Sequence, residues 1–369
     1  MALPRISLSQ ARNFMLQRQL LHRPDVAPEE VVRSLVAIQA QYIRNVPLSF
    51  WSRSSQADLD WVFHALNEER SLVKTWCMRM TVHVLLSEEL PFLVSAVSAS
   101  ISQYQTNLVA KKTGMKREQI QALEAKVMQA LADGPLEREA IHARVTELRD
   151  MPGAGWGHDV KGLALRGELV FAGDGGSVFA RRDQWLPDLE RSLPDPKAAR
   201  MQLLRRYLAS YGPARLQDFA YWAGQYIPWA RSAFEDLQAE MVQVALEDHG
   251  DDYFILAKDL DHLQQPPDPP ALALAPKFDP LMLAHKESHR FLPREHSKQV
   301  ARAAGQVEAI VLVDGVVQAT WRLKELKNRL VLSIEPVKAF SQSLKTRLQA
   351  EADKLAAFYG RDEAEVNWL

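Results

Sequence analysis

Apolar side chains recur at helical spacing along the first part of the chain and then change period. Ser9 to Leu21 predicts an amphipathic helix, with Ser9 as its cap and Phe14, Leu16, Leu20 and Leu21 available for burial. Pro28 to about Ala40 predicts a second. Proline suits the first helical position, Glu29 and Glu30 suit the positive end of the dipole, and Val32, Leu35 and Val36 share one face. After Pro47 a short helix carries Phe50 and Trp51, and Asp58 to Glu69 forms another around Leu59, Val62, Phe63 and Leu66. From Leu72 to Leu86 the period drops to two. Trp76, Met78, Met80, Val82 and Val84 then share one strand face, and Cys77, Arg79, Thr81 and His83 the other.

Pro91 to Ala110 returns to helix and leads into a basic connector at Lys111, Lys112, Gly114 and Lys116. The order then repeats. A helix from Glu118 stops at Gly134-Pro135, Glu137 to Leu148 and Asp159 to Arg166 follow as helices, and Glu168–Ala172 and Ser177–Arg181 flank a glycine-rich turn as a hairpin. A third copy runs from Lys197 to Ser210, stops at Gly212-Pro213, and continues through Arg215–Ala223 and Trp229–Glu240 into strands at 241–246 and 253–256. The proline-rich stretch Gln264 to Pro270 predicts a linker. Beyond it, Glu308–Val313 and Val316–Leu323 join through Asp314-Gly315 as a hairpin, Arg329–Ile334 adds a strand, and Ser341–Phe358 closes with a helix. Helices followed by a β-ribbon, three times over, give the order of winged helices. The expected fold is mainly α with small β-ribbons (α+β): tandem winged-helix units at 1–114, 115–190 and 195–263, with a C-terminal α+β cap at 271–369.

At 369 residues and 47% hydrophobic content, the chain can bury two or three cores. It carries no apolar run of membrane-spanning length, and its N-terminal residues lack the layout of a signal peptide, which predicts a cytoplasmic protein. The single cysteine, Cys77, excludes an intrachain disulfide and a cysteine-based zinc cluster. A net charge of −1 argues against a uniformly basic surface, so any DNA contact must be local.

The chemistry gathers around one interrupted helix. Gln39 and Gln41 are two positions apart, which turns them to nearly opposite sides of a helix but to the same side of extended chain. If both serve one site, the helix must loosen near Ile38. Otherwise the two amides simply satisfy backbone groups at a helix end. Arg79, Thr81 and His83 form either a solvated strand face or a row of donors facing a phosphate or the glutamines. His285 and His289 have metal-pair spacing but no third ligand, and Gly153, Gly155 and Gly157 lack the strand and Gly-Lys-Ser/Thr of a phosphate loop. Neither a metal site nor a cofactor is predicted.

These residues also carry a resemblance. Ile38-Gln39-Ala40-Gln41 followed by Trp51-Ser52-Arg53 resembles the signature of the AlkZ-like winged-helix DNA glycosylases. Trp76 to His83 resembles that family's Arg-Gly-Thr-Leu-His strand, with Met80 where glycine is usual. Tyr211-Gly212-Pro213-Ala214, Phe278-Asp279-Pro280-Leu281 and the Gly315 to Arg322 stretch match its later segments. The resemblance implies three winged helices around a DNA-binding concavity and assigns Gln39 and Gln41 to catalysis, where a related branch has aspartate at the second position. It implies a monofunctional, monomeric glycosylase acting on cationic alkylpurines in double-stranded DNA, with interstrand crosslinks as a further candidate substrate, cytoplasmic and nucleoid-associated when bound. Arg53, Arg79, Thr81, His83, Lys161 and Arg166 are the expected DNA contacts. The alternative function is a noncatalytic winged-helix DNA-binding protein or regulator.

Overall fold

The computed structural model describes residues 3–173, 176–190, 192–287 and 290–369. It is a mixed α+β chain in which helices dominate and the sheets are small. Two long helices are Leu90–Thr113, stopped by Gly114 in the left-handed conformation, and Pro196–Tyr211. They pack on each other through the main core, which also takes in residues from the first, second and third helix-and-ribbon stretches.

Three sheets organise the rest. The largest orders its strands Ile38–Gln39, Val82–Leu86, Leu72–Trp76, Leu169–Phe171, Val178–Arg181 and Leu136–Glu137. Its first three strands and last three strands come from different stretches of sequence, joined where Lys74 pairs with Phe171. Trp76 seals that join, its ring centre 4.5 Å from Phe171 and 5.9 Å from Phe179. A second sheet pairs Met241–Leu246 with Gly250–Leu256 and adds Arg5–Ile6 in parallel from the chain start. Sheet pairing therefore crosses the expected borders at 114 and 195. The third sheet, in the C-terminal part, runs Ala273–Ala275, Ala309–Val313, Val316–Glu325, Arg329–Pro336 and Glu363–Trp368. Helix Gln342–Phe358 covers one face of it, and Leu48 and Trp51 from the N-terminal stretch join its core.

Several elements differ from the sequence pattern for identifiable reasons. The first helix is Leu8–Arg18, capped by Ser7: Ser7 Oγ accepts from Gln10 N, and Gln10 Oε1 accepts from Ser7 N. The second ends at Leu35 because Val36 has φ 70. Leu72 to Leu86 is a hairpin, with Cys77 to Thr81 in its turn. Glu137 to Leu148 divides into Arg138–Arg144 and Thr146–Leu148, and the helix expected from Asp159 is Lys161–Leu165. Asp174 and Gly175 of the glycine-rich hairpin turn lie outside the described residues. Glu363–Trp368, an edge strand parallel to Arg329–Pro336, was absent from the sequence reading.

Candidate active site

The left-handed Val36 turns the chain out of its helix and into the two-residue strand Ile38–Gln39. This strand pairs antiparallel with the hairpin, Ile38 with Val84 and Gln39 with His83, and Ala40 N donates to Val82 O at 2.7 Å. The helix therefore ends before the glutamines; Gln39 closes the short strand and Gln41 falls in the bend that follows it.

Gln39 is buried and anchored. Its Oε1 accepts from Arg79 Nη2 at 2.9 Å. A guanidinium has only donors, so the facing atom must be the amide oxygen, and this fixes which way the amide points. The amide nitrogen is left with no protein partner among the described residues and is not sealed from solvent. Arg79 is itself held at three points: Gln39, the Trp222 carbonyl, and His83 Nε2 at 3.5 Å. The His83 tautomer follows. Nδ1 lies 2.9 Å from the Thr81 carbonyl and must donate to it, leaving Nε2 as acceptor toward Arg79. Burial, reinforced by the Arg79 charge, pushes this imidazole down to about 3, so it is neutral at physiological pH.

The hairpin turn that presents Arg79 is tight. Arg79 and Met80 both have φ 55, a region that disfavours side chains. Met80 thus takes a glycine-like conformation at the position where the resemblance expects glycine. Gly224 lies against the turn, and a Cβ there would come within 2.4 Å of Arg79 N. Only glycine permits this approach between the Leu216–Ala223 helix end and the turn.

Gln41, two residues on, is differently placed with respect to solvent. It is exposed and lines a groove of about 840 Å³, the largest described here, whose lining does not include Gln39. Tyr42, Arg44 and Leu48 continue the same wall, and Lys277, Arg322 and Leu323 face them from the C-terminal part. Gln39 belongs to the Arg79–His83 cluster, and Gln41 opens on the groove. The sequence reading missed Tyr42, Lys277, Arg322 and Trp222. An exposed aromatic directly after the glutamine pair was the available signal for Tyr42; the other three depend on chain pairings far apart in sequence.

The expected DNA contacts separate sharply. Arg53 is fully buried, its Nη2 and Nη1 donating to Asp279 Oδ1 and Oδ2 at 2.7 and 2.9 Å and Nη1 donating to Ser52 Oγ at 2.9 Å. Asp279 also caps the helix Pro280–Leu283. The Ser-Arg and Phe-Asp-Pro-Leu motifs thus form one seam joining the N-terminal stretch to the C-terminal part, and Arg53 has no access to a phosphate. Arg166 is clamped by two carboxylates, Glu124 at 3.0 and 3.2 Å and Glu168 at 2.7 Å. Burial of Arg53 corrects the sequence reading there, whereas the Arg166 side chain is 32% exposed and already paired. Thr81 Oγ1 donates to the Met78 carbonyl within the turn, and Arg79 and His83 are spent on the Gln39 cluster, so this row is not a strand face of free donors. Lys161 is half-buried, its Nζ 5.5 Å from the Trp76 ring centre. Burial pulls it down to about 8 against the opposing pull of Asp159, with Arg138 adding to the burial effect. His289 lies outside the described residues, and no group of three His, Cys, Asp or Glu able to hold a metal occurs among the described ones. No helix among them is long and apolar enough to cross a membrane.

Comparison with known proteins bears on what this geometry serves. The family model for AlkZ-like DNA glycosylases matches residues 32–358. An interstrand DNA cross-link repair glycosylase of Streptomyces sahachiroi is 27% identical over 325 residues, spanning 84% of this chain and 86% of that protein. The structure of the Streptomyces sahachiroi DNA glycosylase AlkZ superposes with a TM-score of 0.81 at 25% identity, covering 99% of this chain and all of the other. With most of its length matched, from within the Pro28 helix to the end of the last helix, this chain belongs to the AlkZ-like DNA glycosylase family.

Proposed function

We propose that this chain is a monofunctional DNA glycosylase that hydrolyses the N-glycosidic bond of cationic alkylated purines in duplex DNA, interstrand crosslinks included. The observation that supports it is the unequal state of the two glutamines: Arg79 holds Gln39 by its oxygen and leaves its amino group free, while Gln41 stands open at the groove. An amide is too weak a base to ionise water, but its carbonyl can accept from one. In this reading Gln41 positions the water and Gln39 donates to the base or sugar.

A purine alkylated into a cation is already a good leaving group. The bond from C1′ to the base nitrogen breaks with its electron pair staying on the base, which departs neutral. The water oxygen then bonds to the oxocarbenium-like C1′, and its proton passes to solvent. Placement of the water is the main demand on the protein. Weak catalytic groups suit charged lesions and spare normal bases. We read the three helix-and-ribbon stretches as winged helices around the DNA, and the chain as a cytoplasmic monomer.

The test is incubation with duplex DNA containing N7-methylguanine, with released base measured by mass spectrometry. Release is expected, and release that depends on Gln41. Duplex binding without release from either an N7-methylguanine or a crosslinked substrate would favour a noncatalytic DNA-binding protein.

A further inference from the structure

The hairpin turn that presents Arg79 to Gln39 also forms one wall of a second pocket, of about 300 Å³, to which neither glutamine contributes. Tyr104 from the helix Leu90–Thr113, Tyr221 from Leu216–Ala223 and Tyr226 at the cap of Ile227–Leu237 surround it, and Met80 and Ile101 complete an apolar lining. The tyrosines are 47%, 42% and 58% exposed, and with Ile227 they are four of the eight large apolar side chains exposed among the described residues. Scattered singly, such side chains need no explanation; gathered from three elements at one spot, they make a binding surface.

The pocket has a fixed frame. Ser100 Oγ donates to Gln225 Oε1, and Gln225 Nε2 donates to the Val97 carbonyl at 2.9 Å, so the Leu90–Thr113 helix is tied to the segment that carries Tyr226. Arg79 is the one charged residue in the lining, and its guanidinium is already taken by Gln39, His83 and the Trp222 carbonyl. What remains are flat neutral faces edged by hydroxyls. They disfavour a phosphate and suit a single aromatic ring system with polar edges.

We infer that this pocket receives the nucleobase opposite the lesion, unstacked from the duplex and laid against the tyrosines. The inference rests on the glycosylase reading. If the adducted base is drawn out of the stack toward Gln39 and Gln41, its partner is left as the base without a pair, and so the cheapest to unstack. Neighbours on both strands keep their pairs. Arg79 touches Gln39 and lines the pocket, which sets the two sites about one arginine side-chain length apart. Every base has a π-face, so stacking on tyrosine accepts whichever base stands opposite the lesion.

The experiment measures binding to duplexes in which a tetrahydrofuran abasic analogue replaces the lesion, so that nothing can be cleaved. One duplex carries cytosine opposite the analogue, a second carries another tetrahydrofuran there, and a third keeps that cytosine but lacks the base on its 3′ side. The parent protein should bind the first at least fivefold more tightly than the second, and the third about as tightly as the first. The double variant Tyr221→Ala/Tyr226→Ala should bind all three alike with an unchanged urea midpoint, and Tyr104→Ala, on another helix, should shrink the preference. Tyr221→Phe/Tyr226→Phe should keep it. A preference that survives the alanine variants, or one that follows the 3′ neighbour, would overturn the inference. So would equal binding of all three duplexes by the parent protein, which would leave the tyrosines to a protein partner. Failure to release N7-methylguanine sinks the glycosylase reading by itself; these binding differences need no cleavage and still decide the pocket.

Discussion

Gln41 and Arg53 flank the short helix Val46–Trp51, yet the fold treats their polar groups in opposite ways. Arg53 is sealed, its charge matched by both oxygens of Asp279. Gln41 is open, with a groove in front of it. Gln39 stands between the two conditions: its oxygen is tied to Arg79 and its nitrogen is not. A polar group that the fold buries must be paired, and once paired it serves the scaffold. A polar group left open next to a cavity retains its hydrogen-bonding capacity for a ligand. Residues within a single family motif can therefore divide into seam and site.

The largest expected effects fall at the seam. Arg53→Ala leaves Asp279 as an uncompensated buried carboxylate and should lower unfolding free energy by about 3–5 kcal/mol, read by urea denaturation. If the variant folds normally and merely binds DNA more weakly, Arg53 is a phosphate contact and the contrast with Gln41 fails. Gln41→Ala should do the reverse: unchanged urea midpoint and duplex affinity, with single-turnover base release lowered about 10²-fold. Gln41→Asp should retain part of the activity, since a carboxylate can still hold the water.

A smaller effect sharpens the intermediate case. Gln39→Glu keeps an acceptor against Arg79 but removes the amino group. Stability should hold or rise slightly, while excision falls roughly tenfold or more if the amino group acts on base or sugar. Full activity in this variant would assign Gln39 to the scaffold with Arg53.

How much of this was legible in sequence depended on whether the deciding contact was local. Helix periods, the glycine-rich turns and the Pro28 start were readable because their causes lie within a few residues. The Gln39–Gln41 spacing was readable as a requirement for broken helix, and the break came from Val36, a β-branched residue whose left-handed φ no propensity signals. The hairpin at 77–81 was read as continuous strand for the same reason: Arg79 and Met80 turn without glycine or asparagine, and the alternation of side chains runs on through the turn. Arg53, Arg166 and Arg79 were read as free cations because their partners, Asp279, Glu124 and Trp222, are distant in sequence. Charge type is visible in a sequence; whether the charge is already spent is not.

His83 gives a pH test of the sealed side. Its native pKa of about 3 lies below the unfolded value near 6.5, so the unfolded chain takes up the proton first as pH falls. Its contribution to stability is complete above about 6.5 and is lost between there and 3. The melting temperature of the parent protein should therefore drop more between pH 7 and pH 4.5 than that of His83→Asn. Base release should show no inflection between pH 5 and 8 that His83→Asn removes; such an inflection would make His83 a proton-transfer group.

The smallest effect expected is none, at Arg166. Each phosphate contact contributes about one unit to the slope of log affinity against log salt, because neutralising a phosphate releases its condensed counterion. Arg166 already faces Glu124 through two nitrogens and Glu168 through the third. A phosphate arriving there would have to break charge-assisted hydrogen bonds to two carboxylates and would meet their net negative charge. Arg166→Gln should leave the salt slope for duplex binding unchanged. A slope reduced by about one would show that this guanidinium exchanges its carboxylates for DNA on binding, and that a paired charge in the free protein can become a phosphate contact in the complex.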